Sequence, residues 1–175
     1  MSPCFLNFAY GSNMSSARLR VRTPSARPLG KAWLAGHALR WHKPARDGSG
    51  KCAFVPTGDP RDRLWGVLYE IDEAERPWLD AAEALGTGYE HVTVQVFTET
   101  DMVTAIAYRA MPPQLDLQPL DWYHAYVMAG ALEHGLPEDY VRALAAVAVI
   151  PHTDLRWAAE IENASRAPRR TTSAD

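Results

Sequence analysis

The chain reads as an α+β protein, a mainly antiparallel sheet or small barrel with helices packed outside it. Strand-like segments dominate the first two thirds, and helices bounded by proline and glycine signals fill the last third. No internal repeat or linker-like stretch interrupts them, which predicts one domain over residues 1–164 and a disordered polar tail over 165–175.

The elements follow in order. Cys4 to Ala9 is apolar and runs into Gly11-Ser12-Asn13, so a buried strand ends there in a turn. Ser15 or Ser16 can cap a short basic helix through Arg22, which Pro24 stops. Lys31 to Trp41 is extended with a bend at Gly36, and Ala45 to Lys51 has loop composition. Cys52 to Pro56 and Leu64 to Ile71 are strands separated by the turn Gly58-Asp59-Pro60. Asp72 and Glu75 have the spacing of a capping box, predicting a helix from Glu73 to Leu85 that Gly86 and Gly88 end. Tyr89 to Phe97 and Val103 to Arg109 form a hairpin across Glu99-Thr100-Asp101. A proline-rich connector, Met111 to Pro119, leads to a helix from Asp121 to Glu133. Gly135 closes that helix, and Pro137 opens another carrying Tyr140 and Leu144.

At 175 residues the chain can bury a sizeable core without disulfides or metal. Its net charge of -3 argues against a nucleic-acid or anionic-membrane partner. The charges are uneven, however: residues 1–51 hold nine Lys or Arg and a single acid, Asp47, while the remainder holds nine basic and 20 acidic residues. Folding can mix the two halves on one surface, or it can leave a positive field around the N-terminal loop that suits an anionic substrate. Cys4 and Cys52, two lone thiols without metal spacing, fit a reducing compartment. Met1-Ser2-Pro3 leads straight into a strand, so no signal peptide is expected and a cytoplasmic location is. The apolar run Ala143 to Ile150 is too short to span a bilayer.

Two features can carry chemistry. A strand that ends in a glycine turn, as at Tyr10-Gly11-Ser12-Asn13, presents several backbone N–H groups in one direction and can hold a carboxylate or an oxyanion. An ordinary helix-capping turn has the same pattern. Glu83 sits near a helix end among Ala82, Ala84 and Leu79; such neighbours desolvate a carboxylate, raise its pKa and make it a better base. A solvated glutamate on an amphipathic helix fits the same residues, and pattern alone does not choose between Glu83 and Asp80. Tyr10, Tyr89, Trp122 and Tyr123 can line an aromatic pocket or simply pack the core. His37 and His42 fall on opposite faces of an extended segment, which disfavours a metal site. No G-x-S-x-G, phosphate-binding glycine loop or cofactor motif is present, so no cofactor is expected.

Taken together, these stretches resemble the γ-glutamylcyclotransferase-like family. Phe8-Ala9-Tyr10-Gly11-Ser12-Asn13-Met14 is similar to its N-terminal signature, and Leu64 to Ile71 to its central strand. Leu79-Asp80-Ala81-Ala82-Glu83, followed by Gly88-Tyr89, looks like the helix that bears its glutamate. Trp122-Tyr123 through Gly135-Leu136-Pro137 resembles its C-terminal helical segment. The resemblance covers roughly Phe5 to Leu144 and implies a mixed β-barrel with flanking helices. It also implies an acyltransferase- or lyase-type reaction, in which a γ-glutamyl amide is cleaved by its own α-amine to 5-oxoproline. Carried over by position, Glu83 is the proton-transferring residue. Ala9, Tyr10, Gly11, Ser12 and Asn13 surround the substrate, with Tyr89 and Tyr123 as pocket residues. The family often has glycine directly after the glutamate, where this chain has Ala84; Glu90, next to Tyr89, falls at a position that is often aromatic.

The expected partner is a small γ-glutamyl compound; a γ-glutamyl group on a larger carrier is a further possibility, with the loop Ala45 to Lys51 defining the opening. A protein that binds such carboxylates without turning them over is the alternative from a different class.

Overall fold

The computed structural model describes residues 3–111, 114–115 and 117–152. The tail expected at 165–175 lies outside the described residues. A closed barrel is formed, in spatial order, by β1 (Cys4–Ala9), β5 (Arg63–Asp72), β2 (Arg27–Ala35), β6 (Tyr89–Phe97) and β7 (Met102–Ala110). Neighbours run antiparallel except at the seam, where β1 meets β7 in parallel at Asn7 and Ile106. The expected mixed, mainly antiparallel barrel is therefore present. A separate hairpin, β3 (His37–Pro44) with β4 (Gly50–Pro56), leaves β2 through Gly36, whose φ of 70° suits glycine.

Both faces of the β1–β5 pair are covered. Phe8, opposite Leu68, shares a face with Leu64, while Val67, Tyr69 and Ile71 take the other; these five, with Val96 on β6 and Leu79 and Val127 outside the barrel, are fully buried. Gly66 lets β1 and β5 close up, since a β-carbon there would lie 2.7 Å from the Phe8 ring.

Four α-helices flank the barrel among the described residues: α1 (Ser16–Arg22), α2 (Arg76–Ala82), α3 (Asp121–Glu133) and α4 (Glu138–Ala145). The Ser15 hydroxyl accepts from the Arg18 N–H and caps α1, as its sequence predicts. The bounds of α3 also match their expectation, and the helix buries Tyr123, Val127, Gly130 and Ala131.

The predicted capping box does not form. Asp72 accepts from the Cys4 thiol at 3.4 Å, and Glu75 accepts from the Ser25 N–H and hydroxyl at 3.0 and 2.6 Å. Glu73–Glu75 is instead a 3₁₀ turn, and α2 ends at Ala82, three residues before the predicted end. The loop predicted at Ala45 to Lys51 is shorter as well, because Gly50 and Lys51 join β4.

Candidate active site

The turn after β1 is a short 3₁₀ segment, Ser12–Met14, in which Met14 N–H donates to Gly11 and Ser15 N–H to Ser12. The N–H groups of Ser12 and Asn13 find no acceptor among the described residues. Three contacts hold this turn. Gly130 of α3 packs so closely that a β-carbon there would meet that of Met14 at 2.5 Å. The Tyr69 hydroxyl donates to the Met14 carbonyl at 2.9 Å, and the Ser16 hydroxyl joins Tyr69 and His134 at 2.9 and 3.2 Å.

Glu83 is the residue after α2, where the chain reverses. Its Oε1 accepts from Arg22 Nη1 at 2.6 Å and from Asn13 Nδ2 at 2.9 Å, while Asn13 Oδ1 accepts from the same Arg22 nitrogen at 2.7 Å. The three side chains close a small ring of hydrogen bonds joining α1, the turn and α2. Arg22 and Glu83 keep only 8% and 14% of their side-chain surface exposed. The carboxylate is thus held by a cation and an amide rather than left among apolar neighbours, which corrects the environment read from Leu79, Ala82 and Ala84. No donor among the described residues reaches Oε2, so one oxygen is fixed and the other is available. Asp80, the competing carboxylate, accepts instead from the Tyr108 hydroxyl at 2.6 Å, with His91 Nε2 at 2.7 Å, and lines neither cavity at the site.

One slot brings the expected residues together. Ala9, Tyr10, Gly11, Ser12, Asn13, Glu83, Tyr89 and Tyr123 all line it, with Asn7, Phe8, Cys52 and Tyr108. The tyrosine hydroxyls are already used by the frame. Tyr10 donates to the Tyr108 carbonyl, Tyr89 donates to the Cys52 carbonyl at 2.9 Å, and Tyr123 accepts from the Cys52 N–H at 3.2 Å. Two tyrosines therefore pin the β3–β4 hairpin to the slot. Gly11 permits that approach, since a β-carbon there would lie 2.9 Å from that of Cys52. Burial keeps all three phenols protonated by raising their pKa values well above the ordinary range. Burial also pushes the Cys52 thiol up to about 12, so it is no nucleophile at neutral pH.

Trp122 lies outside the slot and lines a second cavity of about 330 Å³ that shares Ser12, Glu83, Tyr89 and Tyr123 with it. Sequence reasoning missed Arg22 as the partner of Glu83, Cys52 and Tyr108 in the slot, and the basic lining of the second cavity. The signal for Arg22 was the excess of cations in the first 51 residues; nothing near residue 22 indicates a partner at residue 83. Among the described residues no cluster of His, Cys, Asp or Glu is arranged to hold a metal ion.

Comparison with known proteins bears on this arrangement. Residues 63–144 match the AIG2-like family. Gamma-glutamylcyclotransferase of Bos taurus is 32% identical over 149 residues, covering 80% of this chain and 77% of the bovine one. The protein of the same name from Homo sapiens is 30% identical over 148 residues, covering 82% and 78%. A solved structure of a gamma-glutamyl cyclotransferase superposes with a TM-score of 0.80 at 26% identity, covering 92% of this chain and 99% of that one.

Proposed function

This chain belongs to the γ-glutamylcyclotransferase family, and on that premise we propose that it releases 5-oxoproline from a γ-glutamyl amide with Glu83 as the proton-transferring group. The observation that carries the reading is the carboxylate clamped through Oε1 by Arg22 and Asn13, with Oε2 left for substrate beside the turn of Gly11 to Asn13.

The substrate already contains both reacting groups, so holding its α-amine against its γ-carbonyl supplies a high effective molarity. The amine nitrogen bonds to the carbonyl carbon and closes the five-membered ring. Glu83 Oε2 accepts the proton this nitrogen sheds and returns it to the amide nitrogen as the old carbon–nitrogen bond breaks. The products are 5-oxoproline and a free amine, and no co-reactant is needed. The N–H groups of Ser12 and Asn13, without acceptors in the protein, are suited to the oxygen that gains charge as the amine attacks. Arg22 fixes the orientation of the base, and the rings of Tyr10, Tyr89 and Tyr123 exclude water around the folded glutamyl chain.

A soluble reducing compartment such as the cytoplasm suits the thiols of Cys4 and Cys52, and no helix among the described residues is long and apolar enough to cross a membrane. The test is Glu83→Gln, assayed for 5-oxoproline release from γ-glutamyl dipeptides alongside a thermal melt. Turnover should fall by about a hundredfold or more while the cooperative melt persists. Undiminished turnover would remove Glu83 from the mechanism.

A further inference from the structure

The slot continues past Glu83 into the second cavity, so a substrate whose glutamyl half fills the slot extends its amine half into that larger space. The larger cavity has a different character. Arg18, Arg22, Arg46 and Lys51 line it against two carboxylates, Asp47 and Glu83. Arg22 and Glu83 neutralise one another at 2.6 Å. That leaves three cations facing Asp47 alone, whose carboxylate already accepts from the Ser49 N–H at 2.8 Å. Two positive charges are uncompensated.

Two of these cations, Lys51 and Arg18, are held in place. Lys51 Nζ lies 4.5 Å from the Trp122 ring centre and 4.4 Å from that of Tyr123. The Arg18 guanidinium lies 4.5 Å from the Tyr126 ring, and its Nε donates to the Ser12 hydroxyl at 3.1 Å. Aromatic faces steady a cationic head without neutralising it, so its charge remains free to meet an anion. Burial first, and neighbouring cations in addition, bring Lys51 down to about 8 and Arg18 below its usual range. An anion entering the cavity would relieve that repulsion.

We propose that the preferred leaving amine carries two negative charges, the chemistry of an acidic amino acid or acidic peptide, and that Lys51, Arg18 and Arg46 receive its carboxylates. The proposal rests on the cyclisation reading and adds the class of amide that is cut. A neutral amine gains nothing from this lining, and a basic amine is repelled by it.

The test compares γ-glutamyl-glutamate with γ-glutamyl-glutamine, two substrates of nearly equal shape that differ by one charge on the leaving group, and with γ-glutamyl-ethylamide. The expected kcat/KM for the glutamate compound is about tenfold above that for the glutamine compound, with the gap narrowing as salt rises to ~0.5 M. Lys51→Gln and Arg46→Gln should each cut that ratio about threefold. A ratio taken within each variant is insensitive to how much of the protein is folded. Equal rates for the two dipeptides, or a preference for glutamine, would overturn the proposal and leave cyclisation standing. No 5-oxoproline from any of the three would overturn the reaction itself, and this proposal with it.

Discussion

Ala84 adopts φ of 50°, and among the described residues it is the one non-glycine at positive φ. The reversal it makes is needed, because Thr87 and Gly88 both donate back to its carbonyl, at 3.0 and 2.7 Å, and so end α2 directly beside Glu83. A side chain in this conformation costs about 1–2 kcal/mol, whereas glycine adds about 0.4–1 kcal/mol of unfolded-state entropy. Ala84→Gly should therefore stabilise the protein by about 0.5–1 kcal/mol, seen as a Tm higher by about 2 °C in a thermal melt. The departure from glycine was visible in the sequence, but the strain was not, since backbone angle is set by what the following loop must reach. Arg22 shows the same limit. Seen locally it ends a basic, solvent-facing helix; only the packing of α1 against α2 makes it the partner of Glu83.

At the scale of elements, α3 sets the position of the turn through the missing side chain of Gly130. Adding a methyl group there has no void to enter, because Met14 and Ser15 occupy the space and Tyr69 anchors the Met14 carbonyl from the other side. Gly130→Ala should cost about 1–3 kcal/mol, read as a lower urea midpoint with an unchanged m-value, and should lower kcat by shifting the turn that bears Ser12 and Asn13. The bounds of α3 could be read from sequence because the proline-rich connector and Gly135 bracket it, and those of β6 because alternate residues such as Val94 and Val96 are apolar and buried. The helix at Asp72 could not. Its cap residues look local, yet Glu75 is claimed by Ser25 from a distant loop, and no spacing rule sees that competitor.

For the molecule as a whole, both readings of the uneven charge hold in part. Arg22, Arg27 and Lys31 pair with Glu83, Glu70 and Glu99 of the acidic remainder, while Arg18, Arg46 and Lys51 line one cavity. This has a consequence for alkaline stability. Lys51 has a folded pKa of about 8, below the ordinary 10.5, so the unfolded chain binds the extra proton and stability rises as pH climbs from 8. Cys52, raised from 9.0 to about 12, works the other way from pH 9 upward. Above about pH 10 the buried phenols of Tyr10, Tyr69, Tyr89 and Tyr123 retain protons that the unfolded chain releases, each removing about 1.4 kcal/mol per pH unit. Urea midpoints across this range should show a shallow rise, a plateau and then a steep loss. Lys51→Met should abolish the rise alone; a wild-type midpoint falling steadily from pH 8 would contradict the burial of Lys51.

The barrel seam carries a last implication, for how the protein is made. Strand β1 is made before the other barrel strands, but the barrel closes on it only when Ile106 of β7 arrives beside Asn7. The slot is completed later still, since its walls run from Asn7 to Tyr123. A nascent chain therefore holds the turn after β1 open until α3 has been made, and no fragment that stops short of α3 contains every wall of the slot.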